Sequence, residues 1–270
     1  MEKELGIALL NRSRLPVALT RAGELYLKYL EKCSVLEKEF ASELEMLKQE
    51  CRYSLSIGIP MQITPYLFQG PMRDFMRNYS SVHMSISEST SSITSENKLL
   101  SRDVDIAYIH TVSLNSSLFR YYPLRKEHVL LVCNKSHPLV RNMESSINSP
   151  LIIEPELLSS EVFLLLREEY RLFHVAMDIM KKHDISARKI ITLGNLEAIL
   201  NFISSGEDGG VTFMADFILH DYRNADKLAY LAFADGVQEW YFSLAVTKDQ
   251  AVSTWAEVFI NFNEDYFKKH

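Results

Sequence analysis

Residues 54–79 read SLSIGIPMQITPYLFQGPMRDFMRNY, and this stretch decides the fold class. Over residues 54–59 apolar side chains alternate with small or polar ones, which is the period-two pattern of a strand. Residues 65–79 carry apolar side chains at helical spacing behind Pro65, a residue type favoured in the first turn of a helix. The stretch therefore predicts a strand, a short turn and a helix, in that order.

The same alternation continues along the chain. Strands are predicted over residues 82–87, 104–109, 129–133, 162–166, 189–193, 211–214 and 241–246, and helices over 93–101, 170–183, 196–204 and 254–267. Such alternation is typical of βαβ units around a mostly parallel sheet. We therefore expect an α/β fold with two similar lobes joined by strand crossings, lobe I over about 54–133 and 250–270 and lobe II over about 134–249. Ligands of such sheets bind in the cleft beyond the carboxyl ends of the strands.

Upstream of this region, residues 21–51 read RAGELYLKYLEKCSVLEKEFASELEMLKQEC and predict one long helix, with Thr20 as its N-cap. Apolar side chains recur on one narrow seam while the other faces are charged, a pattern that favours pairing with another helix. We assign 21–53 to a linker and dimerisation helix whose seam contains Tyr26, Tyr29, Cys33, Leu36, Phe40, Leu44 and Leu47. The alternative is a helix that packs only on its own domain.

Composition narrows the functional class. The chain has 270 residues, of which 47% are hydrophobic and 24% charged, as expected for a folded protein of one or two domains. Its net charge of -6 argues against a protein that binds nucleic acid along its length without sequence preference. No apolar run is long enough to span a membrane, and the N-terminus lacks the order of a signal peptide, so we expect a cytoplasmic protein. The three cysteines form no C-x-x-C pair, and the motifs of common enzymes are missing. We expect no metal, no cofactor and no catalytic residues.

The first thirty residues contain Leu5-Gly6, Leu9-Leu10-Asn11-Arg12, Leu19-Thr20 and Ala22-Gly23, followed by the long helix. This order resembles the end of the winged helix-turn-helix of LysR-type transcriptional regulators, which is approximately L-E-x-x-L-G-x-x-L-F-x-R, a wing, and L-T-x-A-G. Further landmarks of that family lie downstream, among them Val104-Asp105-Ile106-Ala107, His137-Pro138-Leu139 and Gly210-Val211-Thr212. The resemblance implies a two-lobed effector domain similar to periplasmic binding proteins, a small-molecule effector, and a homodimer or homotetramer that binds DNA without contacting a membrane.

The resemblance assigns residues 1–20 to a remnant of the winged helix-turn-helix, because the chain opens within or just after the family's recognition helix. A helix in the major groove reads base edges, so we expect DNA reading to require helices upstream of Met1. A mis-assigned start codon, a truncation and a degenerate gene all fit this sequence. For the wing we predict DNA contacts from Arg12, Ser13, Arg14 and Thr20, of small and salt-sensitive affinity.

The turn after the first strand is the first candidate for effector binding. Thr64 suits an N-cap and Pro65 the first helical position, so amides at the positive end of the helix dipole are expected to face the cleft and to favour an anion. The resemblance places effector carboxylates at this same turn. It implies polar contacts from Gln62 and Thr64 and an apolar wall from Met61 and Ile63. The alternative for Thr64 is a helix cap alone.

Other strand ends supply the remaining effector candidates, which are Tyr108, His110, Arg167, Asn195 and Thr212. Asn195 is also expected to cap the helix after it. Arg167 can instead pair with its acidic neighbours and not with an effector. Tyr108 and His110 can instead be core residues that do not contact an effector.

Three functions compete at this level. The first is a LysR-type regulator controlled by a small, anionic effector in the cleft between the lobes. The second is a sensor or solute-binding module that works without DNA, which the acidic charge and the missing recognition helix allow. The third, an enzyme on the same two-lobed architecture, has no catalytic set of residues in its favour.

Overall fold

The computed structural model describes residues 1–13, 16–52, 54–140, 143–206, 209–220 and 222–269, with side chains left out over 42–52. The chain divides into two compact units, Met1–Ser54 and Leu55–His270. Each unit is built around its own secondary structure.

The first unit contains a short helix α1 (Glu2–Leu5), an antiparallel hairpin of β1 (Leu10–Asn11) and β2 (Ala18–Leu19), and the long helix α2 (Arg21–Arg52). The prediction of one long helix is confirmed. The predicted cap is confirmed too, because the Thr20 hydroxyl accepts a hydrogen bond from the Gly23 amide at 3.0 Å and donates one to the Ala8 carbonyl at 2.7 Å. Position 23 requires glycine, because a Cβ there would lie 2.1 Å from the Leu9 carbonyl oxygen.

The second unit alternates strands and helices, which confirms the α/β class. Its strands are β3 (Ser54–Pro60), β4 (His83–Ser89), β5 (Ile106–Thr111), β6 (Phe119–Asn134), β7 (Leu151–Ile152), β8 (Val162–Leu166), β9 (Lys189–Leu193), β10 (Val211–Ala215), β11 (Leu228–Ala232) and β12 (Gln238–Thr247). Its helices are α3 (Thr64–Gln69), α4 (Pro71–Asn78), α5 (Ser92–Leu100), α6 (Arg171–Lys182), α7 (Leu196–Ser204), α8 (Asp216–His220) and α9 (Thr254–Lys269). Turns of 3-10 helix occur at Met61–Ile63, Pro155–Ser160 and Ala225–Lys227.

The strands form one mixed sheet in the order β4-β3-β5-β12-β6-β10-β8-β9, with β11 paired to β6 and β7. Pairs such as β3 with β5 and β8 with β9 are parallel, as expected. The expectation of a mostly parallel sheet is wrong at the centre, where the long strands β6 and β12 run antiparallel to each other and to their neighbours. The reason is that these strands carry the chain from one lobe to the other in opposite directions.

Each lobe has its own hydrophobic core. The core of lobe I includes Leu55, Phe75 and Phe259, and the core of lobe II includes Phe163 and Ile199. The crossing strands change lobe in their middle: on β6, Leu124 packs in lobe I and residues 129–133 in lobe II, while on β12 Trp240 belongs to lobe II and Phe242 to lobe I. The crossings therefore lie earlier in the chain than the predicted boundaries at 133/134 and 249/250, because one continuous ladder between β6 and β12 spans both lobes.

The single helix predicted over residues 65–79 is divided in two at Gly70. Pro71 has no amide to donate to the preceding turn, and a residue before proline is disfavoured in the helical region. Gly70 accordingly adopts φ -126° and ψ -111°, and α4 begins at Pro71. A Cβ on Gly70 would lie 2.7 Å from the hydroxyl of Tyr266, so α9 packs closely on this break.

Candidate functional site

The turn after β3 differs from its predicted form. Residues Met61–Ile63 make one turn of 3-10 helix that continues directly into α3. Thr64 has helical φ and ψ of -50° and -48°, and its amide already donates to the Met61 carbonyl. Thr64 is therefore not the N-cap, a position taken by Ile63, which makes no side-chain cap bond. The continuous helical turn places Gln62 inside the cleft and leaves Met61 55% exposed at its mouth.

The two lobes enclose a small inner chamber of about 50 Å³ at the ends of the strands. Lobe I contributes the turn after β3, the start of α5 and the end of β5, and lobe II contributes the end of β8 and the start of α6. The polar residues that line it are Gln62, Ser91, Ser92, His110, Tyr170, Arg171 and Trp240.

Several polar atoms in this chamber are buried and unpaired. Within the described part of the chain, Gln62 Nε2, Arg171 Nε and Trp240 Nε1 have no hydrogen-bond partner. The ring of His110 packs against Trp240, with ring centroids 5.2 Å apart, and its Nε2 is likewise without a hydrogen bond there. A buried donor left unpaired costs about 1–3 kcal/mol, so each such group calls for an explanation.

A buried carboxylate lies behind the chamber. Glu127 is fully buried, with one oxygen 3.3 Å from His110 Nε2 and the other accepting from Arg125 Nε at 3.2 Å and Nη2 at 2.9 Å. Burial is the largest effect and by itself raises the pKa of Glu127, but the neighbouring His110 ring and the hydrogen-bonded Arg125 guanidinium together hold that pKa below its ordinary value. Glu127 is therefore ionised at neutral pH and adds no hydrogen-bond donor to the chamber.

An ion pair joins the lobes across the cleft. Arg171 at the start of α6 in lobe II donates from Nη2 to Glu96 on α5 in lobe I, and the hydroxyl of Tyr121 donates to the other Glu96 oxygen at 3.3 Å. Burial is the largest effect on the Glu96 carboxyl and leaves its pKa above the ordinary value, although Arg171 opposes that shift. Arg171 thus connects the lobes through Nη2, and the same residue lines the chamber with its Nε buried and without a hydrogen-bond partner among the described residues.

Outside the inner chamber lies a wider outer chamber of about 550 Å³. Gln62 and Tyr170 belong to both chambers, and Met61 and Asn195 line only the outer one. Asn195 caps α7, since its Oδ1 accepts from the Ala198 amide at 3.0 Å. A molecule in the cleft can therefore extend from the unpaired donors inside to a roomier entrance.

The family model described as the LysR substrate binding domain matches residues 48–268. The chain belongs to the LysR substrate-binding domain family. The resemblance inferred from the sequence is thereby confirmed over most of the chain.

Known members of the LysR family are similar to this chain in sequence and in fold. A probable RuBisCO transcriptional regulator of Phaeodactylum tricornutum is 26% identical over 221 residues, which cover 80% of this chain and 68% of the relative. HinK, a LysR family transcriptional regulator from Pseudomonas aeruginosa, superposes with a TM-score of 0.67 at 16% identity, covering 98% of this chain and 85% of that chain. The CcmR regulatory domain of Synechocystis PCC6803 in complex with 2-PG gives a TM-score of 0.66 at 15% identity, covering 80% of this chain and 97% of that chain.

Within this LysR fold, four predicted effector residues line neither chamber. Thr64 is one of them, and its hydroxyl is buried without a hydrogen-bond partner among the described residues. Tyr108 is fully buried in lobe I, where it stacks on Phe242 and donates a hydrogen bond to Asn263, so its side chain is a core residue. Thr212 is buried within β10 and lines neither chamber. The Arg167 side chain is 61% exposed and lies 3.9 Å from the carboxylate of Glu169, which favours the alternative that acidic neighbours match its charge.

The sequence reasoning missed Arg171 and Trp240. Arg171 lies four residues after Arg167 and begins α6. A cation near the end of β8 was expected, but the sequence reasoning named Arg167 and did not consider Arg171. Trp240 lies within β12, and no local pattern shows that this part of a crossing strand faces the cleft.

In the first unit, the wing residues predicted to contact DNA are placed as follows. The guanidinium of Arg12 lies 3.1 Å from the Glu2 carboxylate, and Ser13 bonds to Asn11 through both its amide and its hydroxyl. Thr20 is occupied as the helix cap, and Arg14 lies outside the described residues. These contacts stabilise the hairpin, and DNA binding by the wing stays a prediction.

The predicted LysR linker seam lies along α2. The side chains of Tyr29, Leu36 and Phe40 are exposed, whereas Tyr26 and Cys33 are partly buried. Leu44 and Leu47 lie where side chains are not described. An exposed apolar row on a single chain is what pairing with a second copy requires, although pairing itself stays a prediction.

Among the described residues, no helix is both long enough and apolar enough to cross a membrane. In the same residues, no cluster of three or more histidine, cysteine or acidic side chains has the arrangement of a metal site.

Proposed function

We propose that this chain senses a small anionic effector as part of a LysR-type transcriptional regulator, and that the effector binds in the inner chamber between the lobes. One observation carries the proposal: the unpaired buried donors Gln62 Nε2, Arg171 Nε and Trp240 Nε1 line one chamber. A ligand with several acceptor oxygens pairs all three at once and removes the cost of leaving them unpaired.

An anion fits this chamber better than a neutral polar molecule. The donors include an arginine, which stays charged at every relevant pH and forms strong hydrogen bonds with carboxylate or phosphate oxygens. Each nearby carboxylate is paired with an arginine, Glu96 with Arg171 and Glu127 through one oxygen with Arg125, and the second Glu127 oxygen lies 3.3 Å from His110 Nε2. A volume of about 50 Å³ suits a single acid group, and the outer chamber provides space for the remainder of a small organic acid. The similar CcmR regulatory domain is in complex with 2-PG, which favours a small-molecule ligand for this chain too.

Effector binding changes the protein by favouring one arrangement of the lobes. Arg171 donates to Glu96 of the opposite lobe and also presents a donor to the chamber, so an anion there binds groups from both lobes. A ligand shifts such an equilibrium only through its different affinities for the two arrangements. The long helix α2 then transmits the shift to a second copy of the chain and to the DNA-binding region.

Calorimetry and thermal unfolding of the 270-residue chain test effector binding. Succinate, citrate and glycerol 3-phosphate are compared with succinamide and glycerol, which keep similar shapes without the charge. At least one acid should bind saturably and raise the melting temperature, and its neutral counterpart should not. Binding that is equal for acids and neutral analogues, or absent for every acid, would contradict the proposal.

A gel-shift assay with the DNA upstream of the protein's own gene tests the regulatory part. Retention of this DNA over a scrambled fragment, altered by the acid that binds best, supports a regulator. A protein that binds the acid and never retains the DNA, also when the reading frame upstream of Met1 is included, is instead a sensor that works without DNA.

A further inference from the structure

The Glu96 carboxylate is paired with the cation on which the proposed effector site depends. Among the described residues that line the inner chamber, Arg171 is the only lysine or arginine. Its Nη2 donates to Glu96, which comes from α5 in the opposite lobe. An effector anion that binds Arg171 therefore shares one guanidinium with a carboxylate of the protein itself.

The pair lies where solvent screens charges weakly. The side chains of Arg171 and Glu96 are 23% and 13% exposed. Burial is the largest effect on the pKa of the Glu96 carboxyl and raises it, while Arg171 and the Tyr121 hydroxyl act in the opposite direction. Partly buried charges interact more strongly than charges on the surface, so the charge of Glu96 acts on any anion that binds Arg171.

The charges around the chamber leave room for a single negative charge. Arg171 is paired with Glu96. Behind the chamber, Arg125 is paired with Glu127, and His110 Nε2 lies 3.3 Å from the same carboxylate. The surplus in this group of side chains is one positive charge when the histidine is protonated and none when it is neutral. A singly charged acid group is therefore better compensated than a doubly charged one.

We propose that Glu96 is a specificity-determining residue of the effector site, whose carboxylate makes the inner chamber favour acid groups with one negative charge over acid groups with two. The inference rests on the proposed effector site and defines the charge of the group that the site accepts. Coulomb energy is proportional to the charge of the ligand, so Glu96 repels a dianion about twice as strongly as a monoanion. Arg171 alone has the opposite preference, and Glu96 offsets it.

Titration calorimetry of the full chain with methyl sulfate and methyl phosphate at about pH 8 tests the proposal. The two esters have nearly the same shape, and at this pH the sulfate ester carries one negative charge and the phosphate ester about two. The wild-type protein should bind methyl sulfate at least as tightly as methyl phosphate. This comparison needs no variant, so it decides the outcome if a change at Glu96 prevents folding.

The variant Glu96→Gln removes the charge and keeps an oxygen that can accept from Arg171 and Tyr121. It should tighten binding of methyl sulfate about threefold and of methyl phosphate about tenfold, because the fold-change for a dianion is the square of that for a monoanion. The control Glu257→Gln removes an acid that is exposed on α9, where salt screens its charge, and should leave both affinities unchanged.

Tighter binding of methyl phosphate than of methyl sulfate by the wild-type protein would overturn the inference. A folded Glu96→Gln variant whose preference between the two esters equals that of the wild type would overturn it as well. If neither ester binds while succinate or citrate does, the inference fails and the proposed effector site stands. If the esters and every acid fail to bind, the proposed effector site fails and the inference fails with it.

Discussion

Replacing Gln62 with methionine should make the free protein more stable and its binding of an anion weaker. The side chains have nearly the same length, and the substitution removes the buried Nε2 that has no hydrogen-bond partner among the described residues. Relief of that cost should stabilise the unit Leu55–His270 by about 1–2 kcal/mol. For a unit of this size that corresponds to a rise in melting temperature of roughly 2–8 °C.

The same change removes one charge-assisted hydrogen bond to the effector. Such a bond contributes about 1.5–3 kcal/mol, so the dissociation constant of the best-binding acid should rise roughly 10- to 100-fold. Scanning calorimetry measures the first effect and titration calorimetry the second. Gln69→Met, the same substitution at an exposed position of α3, should change stability by less than about 0.5 kcal/mol and serves as the control. A destabilised Gln62→Met variant, or a stabilised one with unchanged acid binding, would refute the reasoning that the chamber holds its donors for a ligand.

Three other predictions concern separate parts of the molecule. Tyr108→Phe should lower the free energy of unfolding in urea by about 1–3 kcal/mol, because the buried Asn263 side chain loses its donor, and no loss would show that this hydrogen bond contributes nothing. Folding lowers the pKa of Glu127 from its unfolded-state pKa of about 4.3. Its ionised carboxylate therefore stabilises the fold above that pH, and this stability is lost as the pH falls through the lower folded-state pKa. Melting temperature should therefore fall below about pH 4 in the wild type and more gently in Glu127→Gln, and parallel curves would contradict this. The Phe40 side chain is 67% exposed on the seam, so Phe40→Glu should weaken self-association by roughly 10- to 100-fold in sedimentation equilibrium. The control Lys38→Gln should leave self-association unchanged. Equal self-association of the two variants would exclude the seam as an interface.

Much of the fold follows from local patterns. The strands at 162–166 and 189–193 and the helix at 196–204 have the predicted bounds, because alternation and helical spacing are properties of neighbouring residues. The helix over 65–79 was predicted as one piece even though the Gly70-Pro71 step that divides it is visible in the sequence. A proline without an amide donor overrides the apolar spacing on either side of it.

The site was harder to predict, because it depends on which residues meet. Sequence reasoning named Gln62 and His110, which line the inner chamber, but it named Arg167 without considering Arg171 and left Tyr108 open between the cleft and the core. Each of these choices turns on the direction of one side chain at the end of an element. Arg167 is solvated, whereas Arg171, four residues later at the start of α6, bridges the two lobes.

The sequence by itself determined the class of this protein. Strand and helix periodicity predicted an α/β domain, and the resemblance of residues 1–30 and of several downstream motifs to LysR-type regulators implied the family. Only the tertiary structure decided where ligands can bind. The antiparallel crossing of β6 and β12 places Trp240 beside Gln62 and Arg171 in one chamber. Convergence of residues distant in sequence depends on strand order and on where a strand changes lobe, and these are set by packing of the whole domain and not by neighbours along the chain.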